Sequence, residues 1–136
     1  MASKFEGPAK ALIKKHEGVR LKPYYDSEGI LTIGWGRNLQ QGLSEAEADL
    51  LFENDFRKAF NQAAKYTWFH RLTPERKQVI VNMVFNLGAR GFSKFRRMIA
   101  ALDIEDYETA RIEMLDSEWK VQVGPRATEL ADMMYS

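Results

Sequence analysis

The sequence predicts a single domain over residues 1–136 with a mostly helical α+β fold. Residues rich in Tyr, Ile, Leu and Thr are concentrated between positions 19 and 36, whereas apolar residues elsewhere recur at helical spacing. Because a hairpin is marginally stable alone, it must pack on a helix. We expect a small α+β lobe over about 8–43, a connecting helix over about 44–66, a larger helical lobe over about 67–136, and a groove where the lobes meet.

The small lobe is predicted to begin with a helix from about Pro8 to Glu17. Proline suits the first turn of a helix, and Gly18 is a residue type that ends one. Residues 19–25 and 30–36 then predict two strands, and the run Asp26-Ser27-Glu28-Gly29 between them is typical of a turn. The result is a small β-hairpin.

The connecting helix has a clear start. Ser44 is predicted to be its N-cap, and Glu47 completes a capping box three residues later. Apolar residues at helical spacing predict a face that packs in the core; they are Ala48, Phe52, Phe56, Ala59, Phe60 and Ala63.

The helical lobe is predicted to begin at Thr73, which caps a helix with Pro74 at its first position, and Gly88 is expected to stop that helix. Shorter helices are expected at about 93–102, 106–116 and 125–135, and residues 117–123 are expected to connect two of them.

Composition excludes several classes of protein. The chain has no cysteine, which excludes a disulfide framework, a thiolate zinc site and a cysteine nucleophile. Twenty Lys and Arg residues balance nineteen Asp and Glu residues, so no charged arm for nucleic acid is indicated. Residues 1–8 do not resemble a signal peptide, and no apolar stretch is long enough to span a bilayer.

Two carboxyl groups suggest acid–base chemistry. Glu17 is expected at the C-terminal end of a helix, where the helix dipole disfavours a negative charge and favours a carboxylic acid that donates a proton. Asp26 is expected beside the turn, solvated and ionised, and Thr32 on the returning strand has a hydroxyl that could hold a water. This division of roles is the one that glycoside hydrolysis requires, although a Glu and an Asp nine residues apart occur in most chains.

Other motifs are weaker. Gly34-Trp35-Gly36 lacks the third glycine of a dinucleotide fingerprint, and His16-Glu17 lacks the second histidine of a zinc motif because position 20 is Arg. The basic residues between Arg90 and Arg97 could bind an anionic polymer, but a solvated helix face is the simpler interpretation.

The segment from Glu17 to Gly36 resembles the phage-type, or T-even, lysozyme family. The resemblance rests on Glu-Gly, on Tyr-x-Asp-x-x-Gly ending at Gly29, and on Thr-Ile-Gly-x-Gly starting at Thr32. Further segments agree in the same order; they are Asn82–Gly88 with Gly91-Phe92, Ser117-Glu118-Trp119, and Pro125-Arg126-Ala127. The matches extend over nearly the whole chain.

The resemblance implies a lysozyme-like two-lobed fold and a muramidase that hydrolyses, with inversion, the β-1,4 bond between N-acetylmuramic acid and N-acetylglucosamine of peptidoglycan. It implies that Glu17 is the general acid, that Asp26 positions or activates water, and that Thr32 completes this group. Inversion requires carboxyl groups roughly 6.5–9.5 Å apart.

The resemblance also implies supporting residues. Arg126 occupies the position of an arginine that pairs with the catalytic acid, and Phe85 and Asn86 match positions that line the cleft. Arg37 departs from the pattern, because the family commonly has His there, so a permanent charge replaces a titratable one. The connection over 38–43 is also shorter than in the longest members.

The expected partner is bacterial peptidoglycan, and no nucleic acid, stable membrane insertion, metal or cofactor is indicated. The resemblance implies a monomer that accumulates in the host bacterial cytoplasm and lyses the cell after a holin opens the membrane. A catalytically silent peptidoglycan-binding or structural module on the same fold is the alternative, since a fold does not by itself establish function.

Overall fold

The computed structural model describes residues 4–136, which form two compact units, one ending at Asp49 and the other beginning at Leu50. Residues 1–3, part of the segment predicted not to be a signal peptide, lie outside the described residues. The described helices are α1 (Glu6–Glu17), α2 (Glu45–Ala63), α3 (Pro74–Ser93), α4 (Arg96–Asp103), α5 (Tyr107–Leu115), α6 (Glu118–Val123) and α7 (Pro125–Tyr135). The strands are β1 (Arg20–Tyr25), β2 (Leu31–Gly34) and β3 (Arg37–Asn38). The predicted mostly helical α+β class is confirmed.

The first unit contains an antiparallel sheet with strand order β1-β2-β3. Tyr25 lies opposite Leu31, and the register between β1 and β2 is irregular toward Arg20. The prediction of a two-stranded hairpin was incomplete, because the chain turns back after β2 and adds β3, where Arg37 lies opposite Ile33. Glycines with positive φ make this tight return possible.

The predicted end of α1 is confirmed at Glu17, while the helix begins two residues before Pro8. Gly18 follows it with φ 69° and ψ 165°, a backbone conformation that is essentially restricted to glycine. The N–H of Gly18 donates to the carbonyl of Lys14 at 2.8 Å and closes the last turn. Local capping chemistry therefore places Glu17 at the helix C-terminus.

The capping box at the start of α2 is confirmed. The N–H of Glu47 donates to Oγ of Ser44 at 3.1 Å, and the N–H of Ser44 donates to Oε1 of Glu47 at 2.9 Å. The predicted core face is only partly right, since Ala59 and Ala63 are buried but Ala48 is exposed and Phe52 is 49% exposed. Helix α2 also ends at Ala63, before the predicted residue 66.

The second unit contains the main hydrophobic core, built on α3. Thr73 caps this helix by accepting from the N–H of Arg76 at 3.3 Å, and Pro74 is its first residue, as predicted. Gly88 interrupts the helix with φ 76° and ψ 165°, after which a second helical stretch continues to Ser93. The core includes large side chains from α3, α4, α5 and α7; they are Val79, Ile80, Met83, Val84, Phe92, Met98, Leu102, Met114 and Met134.

Helix α6 contradicts the prediction of a connection over 117–123. Ser117 is its N-cap and accepts from the N–H of Lys120 at 3.3 Å, and Glu118 lies in the first turn. These are helix-start signals in the sequence. Trp119 is 3% exposed and belongs to the core, so its burial helps to hold this short helix in place.

Candidate active site

Glu17 is the last residue of α1, and its side chain is exposed. The last turn of the helix also contains Lys14, Lys15 and His16. The carboxyl group therefore lies at a helix terminus and is accessible to solvent.

Asp26 follows β1 directly and is held by the turn, as predicted. Its Oδ1 accepts from the N–H of Glu28 at 2.8 Å and from the N–H of Ile30 at 2.9 Å. Its Oδ2 has no hydrogen-bond partner among the described residues. One carboxylate oxygen thus fixes the orientation, and the other is available to a water.

Thr32 is the one buried polar side chain among the described residues, at 4% exposed. Its Oγ1 donates to the carbonyl of Ile30 at 2.8 Å. Because the hydroxyl proton is used in this bond, Oγ1 can act only as an acceptor toward a water. The peptide groups of Ile30 therefore orient both side chains, since its N–H binds Asp26 and its carbonyl binds Thr32.

The predicted supporting residues lie in the second unit. The Phe85 side chain is 42% exposed, which leaves a ring face for contact with a ligand. Asn86 is exposed, and its Oδ1 accepts from Nε1 of Trp119 at 2.9 Å. This bond fixes the amide orientation and turns the NH₂ group of Asn86 toward other partners.

Arg126 is held by a residue that the sequence did not single out. Its Nε and Nη2 donate to Oδ1 of Asn82 at 3.0 and 2.7 Å. Asn82 opens the segment Asn82–Gly88 that carries the family resemblance and lies four residues before Asn86, one helical turn away, and these were the available signals. The pairing of Arg126 with the catalytic acid stays a prediction.

An apolar cavity of about 670 Å³ adjoins this pair in the second unit. Besides Arg126 and Asn82, its lining includes the rings of Phe52, Phe56, Phe60, Phe69 and Phe85. The rings of Phe52 and Phe85 lie 5.7 Å apart between centroids. The exposed ring of Phe52 therefore lies next to the ring of Phe85, which is predicted to contact substrate.

The basic segment near α4 does not form a purely cationic surface. Lys94, Arg96 and Arg97 line a cavity of about 550 Å³ together with three acidic residues. These are Glu113, Asp116 and Glu118. The balance of charge in this lining disfavours the binding of a polyanion, in agreement with the simpler interpretation of these residues.

The structure thus brings Glu17, Asp26 and Thr32 into the first unit and Phe85, Asn86 and Arg126 into the second. The part of the chain between residues 4 and 136 contains no helix long and apolar enough to cross a membrane. Within the same residues, no group of three His, Asp or Glu side chains is arranged to hold a metal ion.

A family model described as phage lysozyme matches residues 14–132. The chain belongs to the phage lysozyme family. The match begins before Glu17 and continues past Arg126, so it includes every predicted site residue. The resemblance noted in the sequence is confirmed.

Individual relatives have modest identity. The chain is 27% identical to "Probable T4-type lysozyme 2" of Dictyostelium discoideum, with 89% of each chain covered. It is 28% identical to an endolysin of Acyrthosiphon pisum secondary endosymbiont phage 1, covering 90% of this chain and 85% of the relative. It is also 27% identical to the pre-baseplate central spike protein Gp5 of Enterobacteria phage T4, where it spans 26% of that protein. The family and the relatives' names indicate a lysozyme-type glycosidase.

Proposed function

We propose that this chain hydrolyses the β-1,4 bond between N-acetylmuramic acid and N-acetylglucosamine in peptidoglycan, with inversion at the anomeric carbon. The observation that carries the proposal is the Asp26 carboxylate, which two backbone N–H groups orient while Oδ2 stays available to water. Family membership supports it, because the family match contains all three candidate catalytic residues.

In the proposed reaction, Glu17 donates its proton to the glycosidic oxygen as the bond to the muramic acid carbon breaks. A water held between Asp26 and Thr32 attacks that carbon from the opposite face of the sugar and gives a proton to Asp26. Thr32 accepts a hydrogen bond from this water, because its own proton is bound to the Ile30 carbonyl. The carboxylate also stabilises the positive charge that develops on the sugar ring.

The supporting residues are proposed to bind the glycan. Aromatic rings pack well against the apolar face of a sugar, and the ring of Phe85 has the exposure that such contact needs. Asn86 has its amide oxygen fixed by Trp119 and can donate its N–H groups to a sugar. Arg126 is proposed to pair with the catalytic acid.

We also propose that the chain acts as a monomer in lysis of the bacterial host. It would accumulate in the host cytoplasm and reach the wall after a holin opens the membrane. The endolysin relative, similar over most of its length, supports this role by its name.

The test compares the release of sugars from purified peptidoglycan by the wild-type chain, Glu17→Gln and the control Glu6→Gln. Both glutamates lie on α1, so the control makes the same chemical change at the other end of the helix. We expect the control to match the wild type and Glu17→Gln to lose about 10²–10⁴-fold in rate, the usual contribution of a positioned general acid.

Mass and configuration of the products separate the alternatives. Reducing-end muramic acid released first as the α-anomer supports hydrolysis with inversion, whereas anhydro-sugars would replace hydrolysis by transglycosylation. Substantial activity of Glu17→Gln would remove Glu17 from the role of acid. Folded protein that binds peptidoglycan and releases nothing would establish the silent binding module instead.

A further inference from the structure

Gly36 lies against the carboxyl group of Glu17. A Cβ atom at position 36 would lie 2.7 Å from Oε2 of Glu17, 3.1 Å from Cδ and 3.5 Å from Cγ. Cβ atoms essentially never come closer than 3.0 Å to a heavy atom to which they are not covalently linked. Any side chain at position 36 therefore competes with the Glu17 carboxyl for the same space.

The pairing of β2 with β3 holds the backbone before and after Gly36. This pairing places Ile33 opposite Arg37 and Thr32 opposite Asn38. Arg37, the next residue, pairs through its guanidinium with Glu47. A clash at position 36 would therefore be relieved at the exposed and flexible side chain of Glu17 rather than by movement of the sheet.

We propose that Gly36 is a positioning residue for Glu17, and that its missing side chain keeps open the space from which the carboxyl group protonates the substrate. The proposal rests on the role of Glu17 given above. Displacing a catalytic group by about 1 Å lowers the rate by about 10²-fold, whereas the binding of the glycan depends on other side chains. The residue therefore acts on kcat more than on KM.

The chain provides a matched control for the backbone. Gly36 has φ 83° and Gly34 has φ 70°, so alanine is strained at both positions. A Cβ atom at Gly34 would meet nothing within 4 Å. The variants Gly36→Ala and Gly34→Ala therefore share the strain and differ in the contact with Glu17.

The kinetic experiment measures kcat and KM of both variants on soluble glycan strands, at a temperature where circular dichroism shows each to be folded. We expect Gly36→Ala to lose about 10²-fold in kcat with little change in KM, and Gly34→Ala to keep most of its kcat. Equal losses in the two variants, or full kcat in Gly36→Ala, would overturn the proposal.

A second measurement does not depend on turnover. The NMR signal of the Glu17 side-chain carboxyl carbon is compared in the wild-type chain, in Gly36→Ala and in Gly34→Ala. Because the clash is relieved at the Glu17 side chain, we expect this signal to shift in Gly36→Ala and to stay near its wild-type position in Gly34→Ala. Equal shifts in the two variants, or no shift in Gly36→Ala, would show that position 36 does not act through Glu17.

The two proposals fail separately. If the wild-type chain releases no sugars, the proposed function fails, while the NMR comparison still reports whether a side chain at position 36 displaces Glu17. If the wild-type chain is active and Gly36→Ala is equally active, only the positioning role of Gly36 is lost.

Discussion

At the scale of single residues, the candidate catalytic side chains are oriented by backbone groups. The peptide groups of Ile30 bind Asp26 through the N–H and Thr32 through the carbonyl. Both bonds are independent of the side chain at position 30, so they depend only on the path of the turn. Backbone groups are the least mobile partners available, and such support is what a precise site requires.

Glu105 has an unfavourable backbone conformation for a residue with a side chain. Its φ is 61°, and it follows α4 in a Schellman arrangement, where the N–H of Asp106 donates to the carbonyl of Ala101 at 2.8 Å. Glycine is the residue that this position favours. We expect Glu105→Gly to raise the free energy of unfolding by about 1 kcal/mol, as measured by urea denaturation.

The control for this variant is Glu108→Gly in the first turn of α5. Glycine in a helix lowers stability by roughly 0.5–1 kcal/mol, so the two substitutions are expected to have opposite signs. A loss of stability in Glu105→Gly would mean that the glutamate side chain makes a contribution larger than the backbone strain.

At the scale of elements, Glu47 connects the sheet to the start of α2. Its carboxylate accepts from the guanidinium of Arg37 on β3 and from the N–H of Ser44. The hydrogen bond from Arg37, followed by those from Ser44, lowers the pKa of Glu47 from 4.5 to about 2. One side chain thus both caps the helix and forms an ion pair with the neighbouring strand.

This pairing predicts a pH-dependent stability. Because the pKa of Glu47 is lower in the folded chain, its stabilising effect is fully present above about pH 4.5 and is lost as pH falls toward about 2. We expect the difference in Tm between the wild type and Glu47→Gln to follow this course. Thermal melts from pH 2 to 7 measure it.

The matched control is Glu45→Gln, which changes the first residue of the same helix. Its side chain has no hydrogen bond or ion pair within the described residues, so Glu45→Gln leaves the bonds of Glu47 intact and measures any effect common to acidic residues in the first turn. A Glu47→Gln difference that persists unchanged at pH 2 would contradict the assignment of the pKa shift to these bonds.

At the scale of the whole molecule, the two units differ in how much they bury. Thr32 is the one buried residue in the first unit among those described, whereas the second unit contains the full hydrophobic core. Burial of apolar surface is the main source of stability, so local opening should cost less free energy in the first unit.

Hydrogen exchange of the intact chain tests this difference. Amides in α3 around Met83, and in α7 around Ala131, should exchange only through global unfolding, with the free energy found by urea denaturation. Amides pairing β1 with β2 should exchange through smaller openings. Equal protection of the sheet and α3 would show that the chain opens as one cooperative unit.

The sequence by itself determined the features that depend on a few neighbouring residues. The end of α1 at Glu17, the capping box of Ser44 and Glu47, and the start of α3 at Thr73 were all predicted. Caps and glycine conformations act over one helical turn, so the local sequence contains the necessary information. The family was also evident from the order of the motifs.

Only the tertiary structure decided which residues meet across the chain. The sequence analysis did not predict the third strand or the exposure of Phe52. It also did not predict the bond between Asn82 and Arg126 or the close approach of Gly36 to Glu17. Each depends on how separate elements pack, which the local pattern of residue types does not specify. The residue types thus determine the chemistry of the candidate site, and the packing of separate elements determines its geometry.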